Sequence, residues 1–569
     1  MQDLPDLEID LDRYLVPFQL RHVPQYRFDV VVLGSGAGGS LAALAAAERG
    51  ATVAVVAKDN LSVTNTAWAQ GGVAAVLSTE DSFESHVHDT LEAGRGLSEV
   101  DVVRQVIQGG PAAIERLRVL GARFDRRPSG DLELSREGGH SFARIVHAQG
   151  DATGREIQGA LVGALERHPD IDLFSHVHAI DLLSDEGGAV VGVLCRTSTG
   201  ELVSYIAPQI ILATGGGGQI WRETTNPPVA TADGLAMAVR AGASVRDLEF
   251  VQFHPTLLYI AGAARVLISE IVRGAGAVLR DKHGVRFMPT QHAMAELAPR
   301  DVVSRAVFHQ MVETDDTSVY LDLSGLAEDP HALFPGISRI CNFFGIDIAR
   351  DPVPVRPGAH YMIGGLVVDG QGRTNVPGLW AVGECASTGL HGANRMGSNS
   401  LLEAVVLGDV TGQAAADAAL RSKRPETKHV VTRERTIPPP GVEVNLSDLT
   451  YSLKSLMWRQ MGVVRTASGM QDALGRFEFW ARAIRALPMD DARAVELVNM
   501  LTIARLSTVG ALTRVESRGA HHRSDYPEVH DDWCAHLQQT PVVDFISGRV
   551  RRVALALKAL GSHAIEARL

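Results

Sequence analysis

Cysteine is scarce. The 569-residue chain has four, Cys195, Cys341, Cys385 and Cys534, far apart and with no Cys-x-x-Cys pair. Such spacing encodes neither a zinc ligand set nor an iron–sulfur cluster, so no metal is expected and an electron acceptor must come from outside the chain. Positive charge is not in excess either. Against 66 Asp and Glu stand 54 Lys and Arg, a formal net charge of −12, without the overall basic footprint of a nucleic-acid binder. No apolar run reaches the roughly 18 to 20 residues a membrane span needs. The opening MQDLPDLEIDLDRY is acidic, where a signal peptide is basic and then apolar. A cytoplasmic protein with neither nucleic acid nor membrane as partner is expected.

Glycine is abundant, with 56 residues in a chain of otherwise ordinary globular composition, 45% hydrophobic and 21% charged. The length exceeds what one core usually supports, so two or three domains are expected. Residues 1–25 read as an acidic extension punctuated by prolines, with no chemistry assigned. From Phe28 the pattern FDVVVLGSGAGGSLAALAAAERGATVAVVA is strand, glycine turn, alanine-rich helix, strand. Two further apolar strands end in glycine turns, at Gly215 to Gly218 and at Gly383. These segments predict an α/β dinucleotide-binding domain over 26–250 and 363–423. Residues 251–362, of mixed character, interrupt it as an inserted α+β cap. A proline-rich stretch then leads into long helical patterns, a C-terminal helical domain over 424–569.

Gly34, Gly36 and Gly39 form G-x-G-x-x-G between the first strand and its helix. There glycine permits a tight turn and close approach of backbone N–H groups to a pyrophosphate. The fingerprint normally closes with an acid after the second strand, whereas this chain has Ala57 and Lys58, which leaves FAD and NAD both open on local grounds. The stretch 64–72, TNTAWAQGG, offers Asn65, Thr66 and Gln70 as donors beside Gly71 and Gly72, a surface on which a flat ring can lie.

The motifs GSGAGG, TNTAWAQGG, QFHPT, ELAPRD, AHYMIGG and HGANRMGSNSLLE occur in that order. Together they resemble the flavoprotein family that includes succinate dehydrogenase, fumarate reductase and L-aspartate oxidase. The resemblance implies a Rossmann-like FAD-binding domain with the inserted cap and helical tail described above. It also implies FAD contacts at Gly34, Ser35, Gly36, Ala37, Gly38, Gly39, Lys58, Asn65, Thr66, Ala67, Trp68, Ala69, Gln70, Gly71, Gly72, His178, Ala179, Asp233, Glu384, Ser400 and Leu401. Respiratory members carry a flavin-linking histidine in the second motif. This chain has Asn65 there, flanked by Thr64 and Thr66, so the FAD is expected to be noncovalent.

His254, Ser269, His360, Arg395 and Ser398 fall at family substrate positions. The first four are all hydrogen-bond donors, the set a dicarboxylate needs. Arg300, in ELAPRD, matches the residue that handles the proton. Because its own pKa lies above about 12, it is expected to work in a relay with Glu270 and Asp301. One acid, Glu137, sits in REGGHSFARIVHA, crowded by Arg136, His140, Arg144 and His147. That segment is more similar to the amino-acid-oxidising members than to the respiratory ones. Aspartate adds an ammonium to the dicarboxylate, and Glu137 supplies its counter-charge; the competing reading pairs Glu137 with Arg136 or Arg144. The resemblance thus implies oxidation of L-aspartate to iminoaspartate, with the flavin reoxidised by oxygen or fumarate. The product would feed quinolinate formation on the route to NAD, with quinolinate synthase as a partner. A soluble fumarate reductase or succinate dehydrogenase subunit is the first alternative, and a flavin-binding assembly protein without turnover the second. The tail cluster Arg514, Glu516, Arg518, His521, His522 and Arg523 reads as a solvated or interdomain surface.

Overall fold

The computed structural model describes residues 4–260, 265–431, 444–485, 487, 489–545 and 547–561. Most of the proline-rich stretch beyond residue 424 lies outside them. Four short apolar strands, Val30–Leu33, Val53–Val56, Gln209–Leu212 and Leu379–Ala381, join Ile171–Phe174 in a five-stranded parallel sheet. Such strands are buried on both faces, which is why they read as unbroken Val/Ile/Leu runs rather than alternating ones. The alanine-rich helix Ala37–Glu48 packs against Asn399–Arg421. A Cβ at Gly412 would come within 2.2 Å of the Ala42 carbonyl oxygen, so small residues on both helices set how closely their backbones approach.

Residues 251–362 build their own antiparallel sheet, with strands in the order Val251–Leu258, Val353–Met362, Val319–Asp322, Val278–Arg280. The sheet and the helix Arg300–Glu313 share a separate hydrophobic core. In the tail, the helices Leu446–Gln460, Ala467–Ile484 and Ala492–Thr513 join the largest core. The last of these is long and apolar enough to cross a membrane by length and composition, but 78% of its most apolar window is buried inside the protein. After the helices comes a hairpin, His536–Asp544 and Arg549–Lys558, which the helical pattern of the tail does not announce. It pairs on one side with Leu7–Asp12 and on the other with Val245–Arg246 in a six-stranded sheet. The first and last strands among the described residues are therefore neighbours.

The tail cluster is not a solvated face. Arg514, Glu516 and His521 have no exposed area, and Arg514 pairs with Glu249 at 2.7 Å while Arg518 donates to the Arg95 carbonyl at 2.9 Å. It is a buried junction between the tail and the dinucleotide domain.

Candidate active site

Four parallel strands end at the same edge, and the residues just beyond them, Gly34–Gly39, Ala57–Asn60, Ala213–Gly215 and Val382–Glu384, line one long cleft. Ligands of open α/β sheets bind at this edge. The cleft encloses about 1460 Å³ of empty space, counting its open mouth, ample for a dinucleotide. Gly34 makes the approach possible: its φ is +108°, and a Cβ there would lie 2.2 Å from the Ala213 carbonyl oxygen. Buried polar atoms without a hydrogen-bond partner in the protein include Nδ1 of His178 and Oδ1 of Asn65, both on residues that line the cleft. Such orphans are costly unless a ligand satisfies them, so these residues fit FAD. Lys58, Asn65, Thr66, Trp68, Ala69, Ala179, Asp233, Ser400 and Leu401 also line the cleft. Ala67, Gln70, Gly71 and Gly72 do not line it. The Ala67 N–H instead caps its own helix turn on Thr64, and the Gly72 N–H donates to Ser398 at 3.3 Å.

At one end the cleft reaches His360 and Arg395, and the predicted substrate residues converge there. Gln252 Oε1 accepts from Arg395 Nη1 at 3.3 Å and from Arg300 Nη1 at 3.4 Å, joining the two guanidinium groups. Arg395 also donates to Ser400 at 2.7 Å and lies over the Tyr361 ring at 4.8 Å, yet its Nε is buried with no partner. Burial, and then the nearby Arg300, bring its pKa down to about 10. A guanidinium so held is short of an anion.

The rings of His254 and His360 are 5.2 Å apart. Burial pushes both far below the usual histidine pKa, and neighbouring arginines push the same way, so at neutral pH both are neutral. The Thr256 backbone N–H, which can only donate, points at His254 Nδ1 at 3.3 Å. The ring proton of His254 therefore sits on Nε2. Ser269 precedes the helix Glu270–Gly274 and caps it, accepting from the Ile271 N–H at 3.4 Å, while its own hydrogen stays free to donate.

Glu137 is buried between two glycines. A Cβ on Gly71 would come within 3.0 Å of its Oε1, and one on Gly397 within 2.6 Å of its Oε2 and 3.0 Å of Arg300 Nη2. Ser398 donates to Oε2 at 2.8 Å. That commits the Ser398 hydrogen to the acid, so this serine holds Glu137 rather than offering a donor to substrate. Burial raises the Glu137 pKa, against the pull of Arg300. Neither competing partner is used: Arg144 is locked to Asp81 at 2.8 Å and Asp89 at 2.7 Å, and Arg136 donates to the His140 carbonyl.

Arg300 donates from Nε to Glu270 at 2.8 Å, and Arg273 stands 3.8 Å behind that acid. Burial pushes Glu270 up, but the two arginines outweigh it and its pKa is lowered. The expected contact of Arg300 with Asp301 is absent; Asp301 pairs instead with Arg305 at 3.2 Å and with Asn394. At the start of a helix, consecutive side chains diverge by about 100°, so Arg300 and Asp301 face different sides. Sequence reasoning missed Gln252, Tyr361 and Arg273. The first two stand beside His254 and His360 in motifs already singled out. Arg273 carries only the weaker signal of a basic residue one helical turn beyond Glu270.

A family profile described as FAD binding domain matches residues 29–401, and one described as fumarate reductase flavoprotein C-term matches 450–544. L-aspartate oxidase of Nostoc sp. is 40% identical over 94% of this chain and 96% of its own length. That of Mycobacterium bovis is 44% identical over 88% and 92%. Among solved structures, E. coli quinol fumarate reductase superposes with TM-score 0.87 at 31% identity, covering 95% of this chain and 97% of that one. The Mycobacterium smegmatis Sdh1 complex with UQ1 gives 0.83 at 30%, covering 95% and 96%.

Proposed function

The chain belongs to the L-aspartate oxidases of the succinate dehydrogenase and fumarate reductase flavoprotein family, and on that premise we propose that it oxidises L-aspartate to iminoaspartate at the Arg300–Arg395–Glu137 cluster. The observation that carries the substrate is Glu137, a buried acid set among donors. Arg395, the Nε2–H of His254 and the neutral ring of His360 bind the carboxylates. Glu137 pairs with the ammonium, which would otherwise be a buried charge without a partner, at a cost of several kcal/mol. FAD, once bound, supplies the hydride acceptor. The chain holds C2 in place, excludes water and takes the ammonium proton, so that the nitrogen lone pair forms the C=N bond as the C2 hydrogen leaves with its electrons.

In fumarate reduction a proton must reach one carbon as hydride reaches the other. Arg300, backed by Glu270 and Arg273, stands next to Glu137 to deliver it. Oxygen or fumarate accepts the electrons in this scheme. Iminoaspartate leaves for quinolinate formation in NAD biosynthesis, through quinolinate synthase. The setting proposed is the cytoplasm, where the four free cysteines stay reduced.

Anaerobic addition of L-aspartate to the purified protein should bleach its visible flavin band. Bleaching by succinate but not by aspartate would remove this reading in favour of a respiratory-type subunit. The flavin should also be releasable. Thr64 caps a helix turn, Asn65 donates to Glu384 at 2.7 Å and Thr66 accepts from the Ala37 N–H, and none of the three is the nucleophile a covalent link requires. Acid precipitation is expected to leave all flavin in the supernatant; a yellow pellet would contradict it.

A further inference from the structure

Lys58 follows the second parallel strand, where the dinucleotide fingerprint normally places an acid for the adenosine ribose. Its ammonium donates to Thr231 at 2.6 Å, Asp233 at 2.7 Å and Glu496 at 2.8 Å, using all three of its hydrogens. Glu496 is on the tail helix Ala492–Thr513, far along the chain. One turn further, the fully buried Asn499 donates to Asp233 Oδ1 at 2.8 Å and accepts from Arg240 at 2.7 Å. Arg240 is in turn paired with buried Asp181 at 3.0 Å. His178, whose Nε2 lies 3.7 Å from Asp233 Oδ2, and Asp233 itself face the cleft on the other side. Ligand atoms of His178, Asp233 and Glu496 lie within 4.8 Å of one another, a spacing that could invite a metal ion. The lysine ammonium already bridges the two acids as a built-in cation.

We infer that the tail helix is part of the cofactor site: Glu496 and Asn499 are positioning residues that fix Lys58 and Asp233 at the adenosine end, coupling FAD affinity to the seating of the tail. The inference rests on the FAD reading above. Neither residue lines the cleft; each acts through one that does. Without Asn499, Asp233 loses the donor to Oδ1 and Arg240 an acceptor. By reciprocity, whatever the tail contributes to FAD binding, FAD returns to the tail.

The test titrates apoprotein with FAD, with ADP as competitor, and follows hydrogen exchange of amides 492–499. Asn499→Leu should raise the Kd values for FAD and ADP together by about tenfold or more, the scale of losing hydrogen bonds to charged groups. Glu496→Gln, at a partly exposed position, should raise both by about threefold with the apoprotein Tm unchanged. FAD should slow exchange across 492–499 in the parent and less so in Asn499→Leu. Unchanged FAD and ADP affinity in both variants overturns the inference, as does weakened FAD binding with ADP binding intact. If the parent protein binds ADP but no FAD, it is the cofactor reading that fails.

Discussion

Replacing Arg300 by alanine is expected to lower kcat for fumarate reduction by about 10³-fold, measured anaerobically with a chemically reduced electron donor. Positioned general acids contribute roughly 10² to 10⁴ in rate. No other side chain described beside Glu137 combines a proton to give with a buried acid, Glu270, at 2.8 Å to return it. Aspartate oxidation should fall much less, by about tenfold, because the C2–H and N–H bonds that break in that direction do not need an acid at the second carbon. Arg300→Lys should recover part of the fumarate rate. A fumarate kcat within a few-fold of the parent would take Arg300 out of the proton path and weaken the catalytic assignment of the whole cluster.

Glu137→Gln should do the reverse. The kcat/KM for L-aspartate is expected to drop about 10²-fold, equivalent to about 3 kcal/mol at 1.4 kcal/mol per decade. That sits within the range for removing one partner of a buried charge pair. Fumarate reduction should change by less than about threefold, since fumarate carries no ammonium and an amide replaces the acid without changing its shape. A pH signature accompanies the loss. The Glu137 pKa is raised, and the carboxylate form binds the ammonium, so kcat/KM for aspartate should fall as pH drops through a value above the ordinary glutamate range. In Glu137→Gln that acidic limb should vanish. Equal damage to both reactions would assign Glu137 a structural role. The two variants together form a crossed pair, each sparing what the other destroys, which general destabilisation does not produce.

The dinucleotide cleft was legible because its signals are local. Gly34 and Gly39 announce a turn that admits no side chain, and the apolar strands around them can only be buried. The substrate cluster was legible in parts, through the motifs that hold Arg300, Arg395 and the two histidines. Partner choice was not. Of the two acids expected to work with Arg300, Glu270 contacts it from another helix, while helix geometry turns the adjacent Asp301 toward Arg305. Ser398 was placed at a substrate position without a partner, and its hydroxyl donates to Glu137, a contact between residues far apart in the chain. The tail cluster around Arg514 was indistinguishable from a surface charge run, because nothing in a string of arginines and histidines records that Glu249 and Asp247 are buried opposite them. Periodicity and turn chemistry are written along the chain; pairing across the fold is decided by packing.

The sheet that joins Leu7–Asp12 to Arg549–Lys558 has a bearing on biogenesis. The strand Leu7–Asp12 waits for its partner until residues 549–558 have emerged from the ribosome. Until then a hydrogen-bonding edge stays bare, the situation in which nascent chains are prone to associate wrongly. The same pairing means that unzipping residues 549–558 should also strip residues 7–12 of their ladder partner.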